Sequence, residues 1–423
     1  MKFFFPDSDD TVYRDFDFKS EKRPVLYDNS GLQYAWEVLS PNRVCDGLLI
    51  SKGLIHPREG SGSKYTFPQR KRLRLVGAHE FFKLPAGLKV IGDCGAFTYV
   101  KEYEPAESVD DVMEFYEECG VDFGISVDHV ILPFQSRWDE LPQAENPDLE
   151  ECERRLKITL DNAREFLRKH REQKNTFYPV GAAQGWSARS YARCVEELQT
   201  IGYDYIALGG MVPLKTREVL DCLQQIDLIR KKETKLHLLG ITRLDAVREF
   251  EKYGVISLDS TSPLLKAFKD DKDNYFAGEQ TFTAIRIPQV EGNPSLRRRI
   301  AAGQLSQETA RKLENSALTA MRLYAEGGTS LESALESVIN YEKFCGNKRD
   351  NESAYKRTLS ARPWECCSCN VCSQIGYHVI LFRGAERNRR RGFHNIWTFY
   401  QNLQRSITPS GSLFEVRGSN LNL

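Results

Sequence analysis

Long apolar runs are missing from this chain: no stretch approaches the roughly 18 apolar residues that a membrane-spanning helix needs. The N-terminal MKFFFPDSDD begins apolar, but Pro6 and the acids behind it stop the run short of a signal-peptide core. A cytoplasmic protein with no membrane partner is therefore expected. Net charge is missing as well, because 59 basic residues face 59 acidic ones. Bulk electrostatics thus neither favours nor excludes a polyanionic partner, and only local clusters can. No GxGxxG turn comes after the first strand-like run, which counts against a dinucleotide-binding open sheet. No internal repeat stands out beyond an alternation of strand and helix patterns.

What is present fills a core. Hydrophobic residues make up 41% and aromatics 11% of the 423 residues, too much for a disordered chain and enough for one large domain with an appendage, or for two to three domains. The eleven cysteines are unevenly spread, with seven lying singly between Cys45 and Cys345 and four packed between Cys366 and Cys372. A reducing compartment favours metal over disulfides for such a cluster. The scattered seven read as small buried hydrophobes.

Seven apolar runs recur along the chain, at 44–51, 88–95, 123–130, 178–185, 205–211, 236–242 and 255–261. They show little alternation, as strands buried on both faces require. Helical patterns separate them: 108–120 with Ser108 as N-cap, about 149–173, 187–202 and 243–254. TFTAIRIPQV (281–290) supplies a candidate eighth strand. The expectation is an α/β fold, a (β/α)8 TIM barrel over 1–290. A helical insertion and linker should occupy 291–357, with two helices in 295–345 and a polar linker at 346–357. A zinc-binding subdomain with a closing helix should occupy 358–423.

The spacing C-x-C-x2-C at Cys367, Cys369 and Cys372 lets three thiolates converge on one tetrahedral ion, and zinc favours sulfur and imidazole. Cys366 offers a second, looser register. Of the two histidines downstream, His378 reads as a packed residue. His394 comes after the basic loop RNRRRG and opens a helical pattern that can carry it back, so it is the expected fourth ligand. Four protein ligands leave no open position, which makes one structural Zn2+ the expected cofactor.

Chemistry in a (β/α)8 barrel sits at the C-terminal ends of the strands. Asp93, Asp128 and Asp259 occupy such ends, although any one alone reads equally well as a helix N-cap. Gln184 and Gly185 end the fourth run, and Gly209, Gly210 and Met211 end the fifth. Glycines there expose backbone N–H groups to a closely approaching ligand. Two carboxylates, an amide and backbone donors together suit the Watson–Crick edge of a purine, with a further carboxylate left as nucleophile.

These residues resemble a known family. GDCGAF, AAQG, LGGM, LLGI, SLDST and CSCNVC…HN fall in the order seen in the tRNA-guanine transglycosylase superfamily, zinc-containing (β/α)8 enzymes, over roughly 88–262 and 364–403. The resemblance implies that Asp259 is the nucleophile attacking C1′ and that Asp93 is the general acid/base. It implies purine recognition by Asp128, Gln184 and Gly210, and zinc ligation by Cys367, Cys369, Cys372 and His394. Where the family reads DSGGFQ this chain has DCGAFT, and STSPLLKAF replaces the Pro-Thr-Arg segment that helps engage tRNA. Those departures, and the Asp128–His129 pair, resemble the DNA-modifying branch, which puts 7-cyano-7-deazaguanine in place of guanine. DNA is then the expected partner, with an ATPase or other DNA-modification proteins as candidate companions. A tRNA substrate and a non-catalytic, zinc-containing nucleic-acid-binding subunit are the alternatives. Base exchange in a duplex requires the guanine to be flipped out and the backbone to be held by cations. Three clusters offer phosphate contacts: Arg70 and Arg72, Arg297 and Arg298, and Arg387, Arg389, Arg390 and Arg391.

Overall fold

A computed structural model describes residues 1–7, 10–23, 31–56, 63–140, 147–347 and 349–407. Eight parallel strands close into a barrel: β1 (Lys2–Pro6), β2 (Gly47–Ser51), β3 (Lys89–Asp93), β4 (Phe123–Ile125), β5 (Tyr178–Ala183), β6 (Tyr205–Leu208), β7 (Lys235–Leu238) and β8 (Val255–Asp259). Each pairs with its successor, and β1 pairs with both β8 and β2 to complete the ring. The interior is filled by side chains from these strands, among them Phe4, Leu49, Ile91, Ile125, Val180 and Tyr205. It is a packed core, so chemistry is confined to the rim.

The eighth strand is not the expected one. Phe3, Phe4 and Phe5 are all buried, and a run buried on both faces is what a barrel strand needs. TFTAIRIPQV instead gives two short strands, Gln280–Phe282 and Ile285–Arg286, which pair with Tyr275–Ala277 and Leu381–Phe382. Pro288 lacks the N–H a ladder requires, and Arg286 is partly exposed, so the segment cannot serve as a strand enclosed on both sides.

The helices around the barrel obey their sequence signals. Val109–Cys119 starts at Ser108, whose hydroxyl accepts the Asp111 N–H, and stops at Gly120 with φ +61°. Pro147–Gln173 and Ala188–Ile201 lie within a residue or two of expectation. Among the described residues no helix is long and apolar enough to cross a membrane.

The chain divides into two compact units, one of residues 1–9, 45–261 and 403–423, the other of 10–44 and 262–402. The barrel unit thus ends near 261 rather than 290, and the second unit draws in residues 10–44. Residues 408–423 of the expected C-terminal segment lie outside the described residues. In the second unit, three helices replace the two expected over 295–345: Pro294–Ala301, Gln307–Ala325 and Leu331–Phe344. The break falls where Gly303 takes φ +71°, beyond an Asn293 cap with Pro294 behind it. The expected polar linker runs into a helix, Glu352–Ala361. RNRRR is not a loop but part of the helix Gly384–Ile407.

Candidate active site and metal centre

Strand β3 ends on Asp93 and β8 on Asp259, while Asp128, Gln184, Gly209 and Gly240 lie just past the ends of β4, β5, β6 and β7. The barrel therefore gathers the expected residues at one rim. Asp128 is 4% exposed. Its Oδ2 accepts from Gln184 Nε2 at 2.6 Å and its Oδ1 from the Cys94 thiol at 3.2 Å. Burial lifts its carboxyl above the ordinary range, against the pull of those two donors. Gln184 is oriented in turn, because its Oε1 accepts the Ile131 N–H at 3.2 Å. Cys94 is therefore a donor in the site, and not merely the small hydrophobe its isolated position suggested.

The glycines answer to close approach. Gly210 has φ +73°, and a Cβ there would stand 2.8 Å from both Gln184 Oε1 and the Ile131 carbonyl. A Cβ on Gly209 would come within 2.3 Å of Gln184 Nε2. Met211 beside them is fully buried.

Asp93 is half-buried. Burial first, then the charges of Asp128 and Asp259, push its carboxyl up to about 7, although Ser51 and the Gly95 N–H oppose the shift. The Gly95 N–H reaches Oδ2 at 3.0 Å. A carboxyl near 7 can both donate and accept a proton at neutral pH.

Asp259, 6% exposed, has one oxygen committed. Oδ1 accepts the Gly240 N–H at 3.0 Å and pairs with His237 Nε2 at 3.0 Å. Behind it, His237 Nδ1 lies 2.7 Å from Ser257 Oγ, which lies 2.5 Å from the Tyr205 hydroxyl. None of His237, Ser257, Tyr205 or Gly240 was singled out from the sequence. A signal existed: Ser257 and Asp259 share a strand face, and parallel register sets His237 beside Ser257.

The second unit brings Cys367, Cys369, Cys372 and His394 together, their ligand atoms all within 4.8 Å of one another. The three sulfurs lie 3.5, 3.4 and 3.4 Å from His394 Nδ1. Ordinary Zn–S and Zn–N bond lengths at a tetrahedral angle predict a separation of about 3.5 Å. The donor set therefore fits one tetrahedral ion. His394 Nε2 donates to the Phe276 carbonyl at 2.6 Å, which leaves Nδ1 bare for a metal. Tyr275 stacks on the imidazole at 4.2 Å. Asn395 accepts from Phe276 N and donates to the Asn274 and Pro263 carbonyls, which ties the Tyr275–Ala277 strand beside the ligand. Cys366 is exposed and stays outside the cluster.

No family model matches this chain. A DNA-guanine transglycosylase of Salmonella montevideo is 44% identical to it over 416 residues, covering 96% of this chain and 98% of that protein. The chain belongs to this family. It is accordingly a transglycosylase, an enzyme of the glycosyltransferase kind.

The transglycosylase does not present all its arginines to a ligand. Arg387, Arg390 and Arg391 are 2%, 4% and 0% exposed. Arg387 pairs with Glu21 and Arg390 with Glu386. Arg391 donates to the carbonyls of Val379 and Leu381 at 3.1 Å and to that of Ala267. Arg389 is half-buried and donates to the Thr11 carbonyl. The expectation that Arg387, Arg390 and Arg391 contact phosphate is thus corrected, because all three side chains are buried and engage partners inside the fold. Arg72, Arg297 and Arg298 are exposed and Arg70 is half-buried.

Proposed function

We propose that this transglycosylase exchanges guanine in DNA for 7-cyano-7-deazaguanine through a covalent ester between deoxyribose and Asp259. The reading is carried by Asp93: a carboxyl held near 7 at the rim that also bears Asp259 suits it to both halves of such an exchange. In the first half, the free Oδ2 of Asp259 attacks C1′. The C1′–N9 bond breaks, its electron pair leaves with guanine, and Asp93 supplies the proton. In the second half, N9 of the incoming base attacks C1′ and passes its proton to Asp93. The ester bond breaks and Asp259 is regenerated, so nothing is consumed and the configuration is retained.

Asp128 and Gln184 read the edge common to both purines, and the glycines at 209 and 210 let the ring approach the backbone, with Met211 behind them. Cys367, Cys369, Cys372 and His394 hold one structural Zn2+. When bound, the ion fastens the cysteine segment to the helix Gly384–Ile407, and its four protein ligands leave no position for substrate. DNA contact falls to the accessible arginines Arg70, Arg72, Arg297 and Arg298, and a companion ATPase assists duplex opening in this reading. The deciding experiment incubates the protein with labelled guanine or 7-cyano-7-deazaguanine and either DNA or tRNA, and then identifies the modified nucleosides by mass. Incorporation into DNA supports the proposal; incorporation into tRNA alone would sink it.

A further inference from the structure

We infer that His237 is the positioning residue of the nucleophile, held in one tautomer by Ser257 and Tyr205. The inference rests on the reading of Asp259 as nucleophile and adds how that carboxylate is aimed. Tyr205, Ser257, His237 and Asp259 form one chain of hydrogen bonds with links of 2.5, 2.7 and 3.0 Å. All four are at most 6% exposed, so water cannot substitute for any link.

The donors can be assigned by elimination. A carboxylate oxygen only accepts, so His237 Nε2 carries a hydrogen. Burial lifts the Tyr205 hydroxyl to about 12, so it keeps its proton at any working pH. With Tyr205 donating to Ser257, and Ser257 donating to His237 Nδ1, every proton of the chain is used once. The reverse direction would leave the Tyr205 proton to find another acceptor. Phe4 packs edge-on against the imidazole at 6.1 Å and holds the ring plane.

The consequence lies at Asp259. Two donors, His237 Nε2 and Gly240 N–H, occupy Oδ1, which restrains the carboxylate's rotation and leaves Oδ2 for the attack on C1′. After attack, Oδ1 becomes the carbonyl oxygen of the ester. As the C1′–Oδ2 bond breaks in the second half, the returning electron pair spreads onto Oδ1. The same two donors then act as an oxyanion hole for the leaving carboxylate, already in place and shielded from water. Attack and departure both use the chain, so its loss should slow the chemical steps and spare DNA binding.

The test uses the full-length protein and single-turnover exchange on DNA, with kcat and KM measured separately and the covalent adduct mapped. His237→Phe fills the volume without a donor and should lower kcat by about 10²–10³-fold at unchanged KM. His237→Gln, which can restore an N–H near the Nε2 position, should recover most of that loss. Ser257→Ala, a smaller change that keeps the fold even where His237→Phe does not, should lower kcat by about ten-fold. A kcat within about three-fold of the parent in Ser257→Ala and in folded His237→Phe would overturn the inference, as would a loss confined to KM or equal losses in the Phe and Gln variants. Asp259→Asn separates the two levels of the argument. If it still forms a DNA adduct, the nucleophile assignment has failed and His237 has nothing to position. If it forms none while His237→Phe remains fast, only the inference fails.

Discussion

Replacing Asp93 with asparagine should stabilise the protein at high pH and hardly at all at low pH, while slowing exchange. The carboxyl sits near 7 in the folded protein against 3.8 in an unfolded chain. The native state therefore binds the proton more tightly. That contribution to stability is fully present below about pH 4, declines as pH rises, and is gone above about pH 7. Roughly three pH units at 1.36 kcal/mol each give about 4 kcal/mol in full, of which about 2.5 kcal/mol falls between pH 5 and pH 8. Asparagine resembles the protonated form and does not titrate. The difference in unfolding free energy between Asp93→Asn and the parent should thus shift by about 2.5 kcal/mol in the variant's favour from pH 5 to pH 8. Urea unfolding across that pH range, with metal held constant, reads this directly. Exchange should fall by about 10²–10⁴-fold in the same variant, since neither half-reaction retains its proton carrier. A stability difference that is flat with pH, or moves the other way, would refute the argument that burial and neighbouring carboxylates hold Asp93 near neutrality.

Other outcomes rest on the geometry. Gly210→Ala meets both a positive φ and a Cβ 2.8 Å from Gln184 Oε1; it should weaken purine binding, measured by calorimetry. Cys369→Ser should reduce bound metal from about one equivalent per chain and lower the thermal stability of the second unit, with metal content read by plasma emission. Arg391→Met leaves buried carbonyls without donors and should destabilise by about 3 kcal/mol in urea unfolding, yet leave the salt dependence of DNA binding unchanged. The double change Arg297→Ala, Arg298→Ala should instead lower the log–log salt slope by about 1.8, if both contact phosphate.

The rim was legible because a parallel barrel writes its chemistry at fixed places. Each strand is a short apolar run, and the residues at or just past its C-terminal end belong to the mouth. Asp93, Gln184, Gly209 and Asp259 could therefore be found without knowing the packing. His237 was hidden because it lies inside a run rather than after it, where a buried histidine in LHLL looks like filling. Its role depends on which residue of the next strand lies beside it, and one strand's pattern does not contain that information. The first strand was missed for a related reason. FFF at the N-terminus is too short for the core of an export signal, yet that is the length of a barrel strand. TFTAIRIPQV looked like the better candidate because it is longer, but Pro288 cannot donate to a neighbouring strand.

The basic run 387–391 shows why charge read along a sequence differs from charge displayed on a surface. As a loop, RNRRR would present its guanidinium groups outward. As a helix it obeys a 3.6-residue period, and His394 fixes which face turns inward. Positions seven, four and three before His394 are Arg387, Arg390 and Arg391, so His394 and three arginines lie on one side of one helix. Those three are the buried ones, whereas Arg389, five residues before His394, keeps about a third of its side chain accessible. With His394 turned inward on a helix, the interior placement of its neighbours follows. Buried arginine is tolerated there because each has acceptors within reach: Glu21, Glu386, or the carbonyls that Arg391 satisfies with no carboxylate at all. The cluster therefore builds the surroundings of His394, and the arginines free to meet a polyanion are the accessible ones.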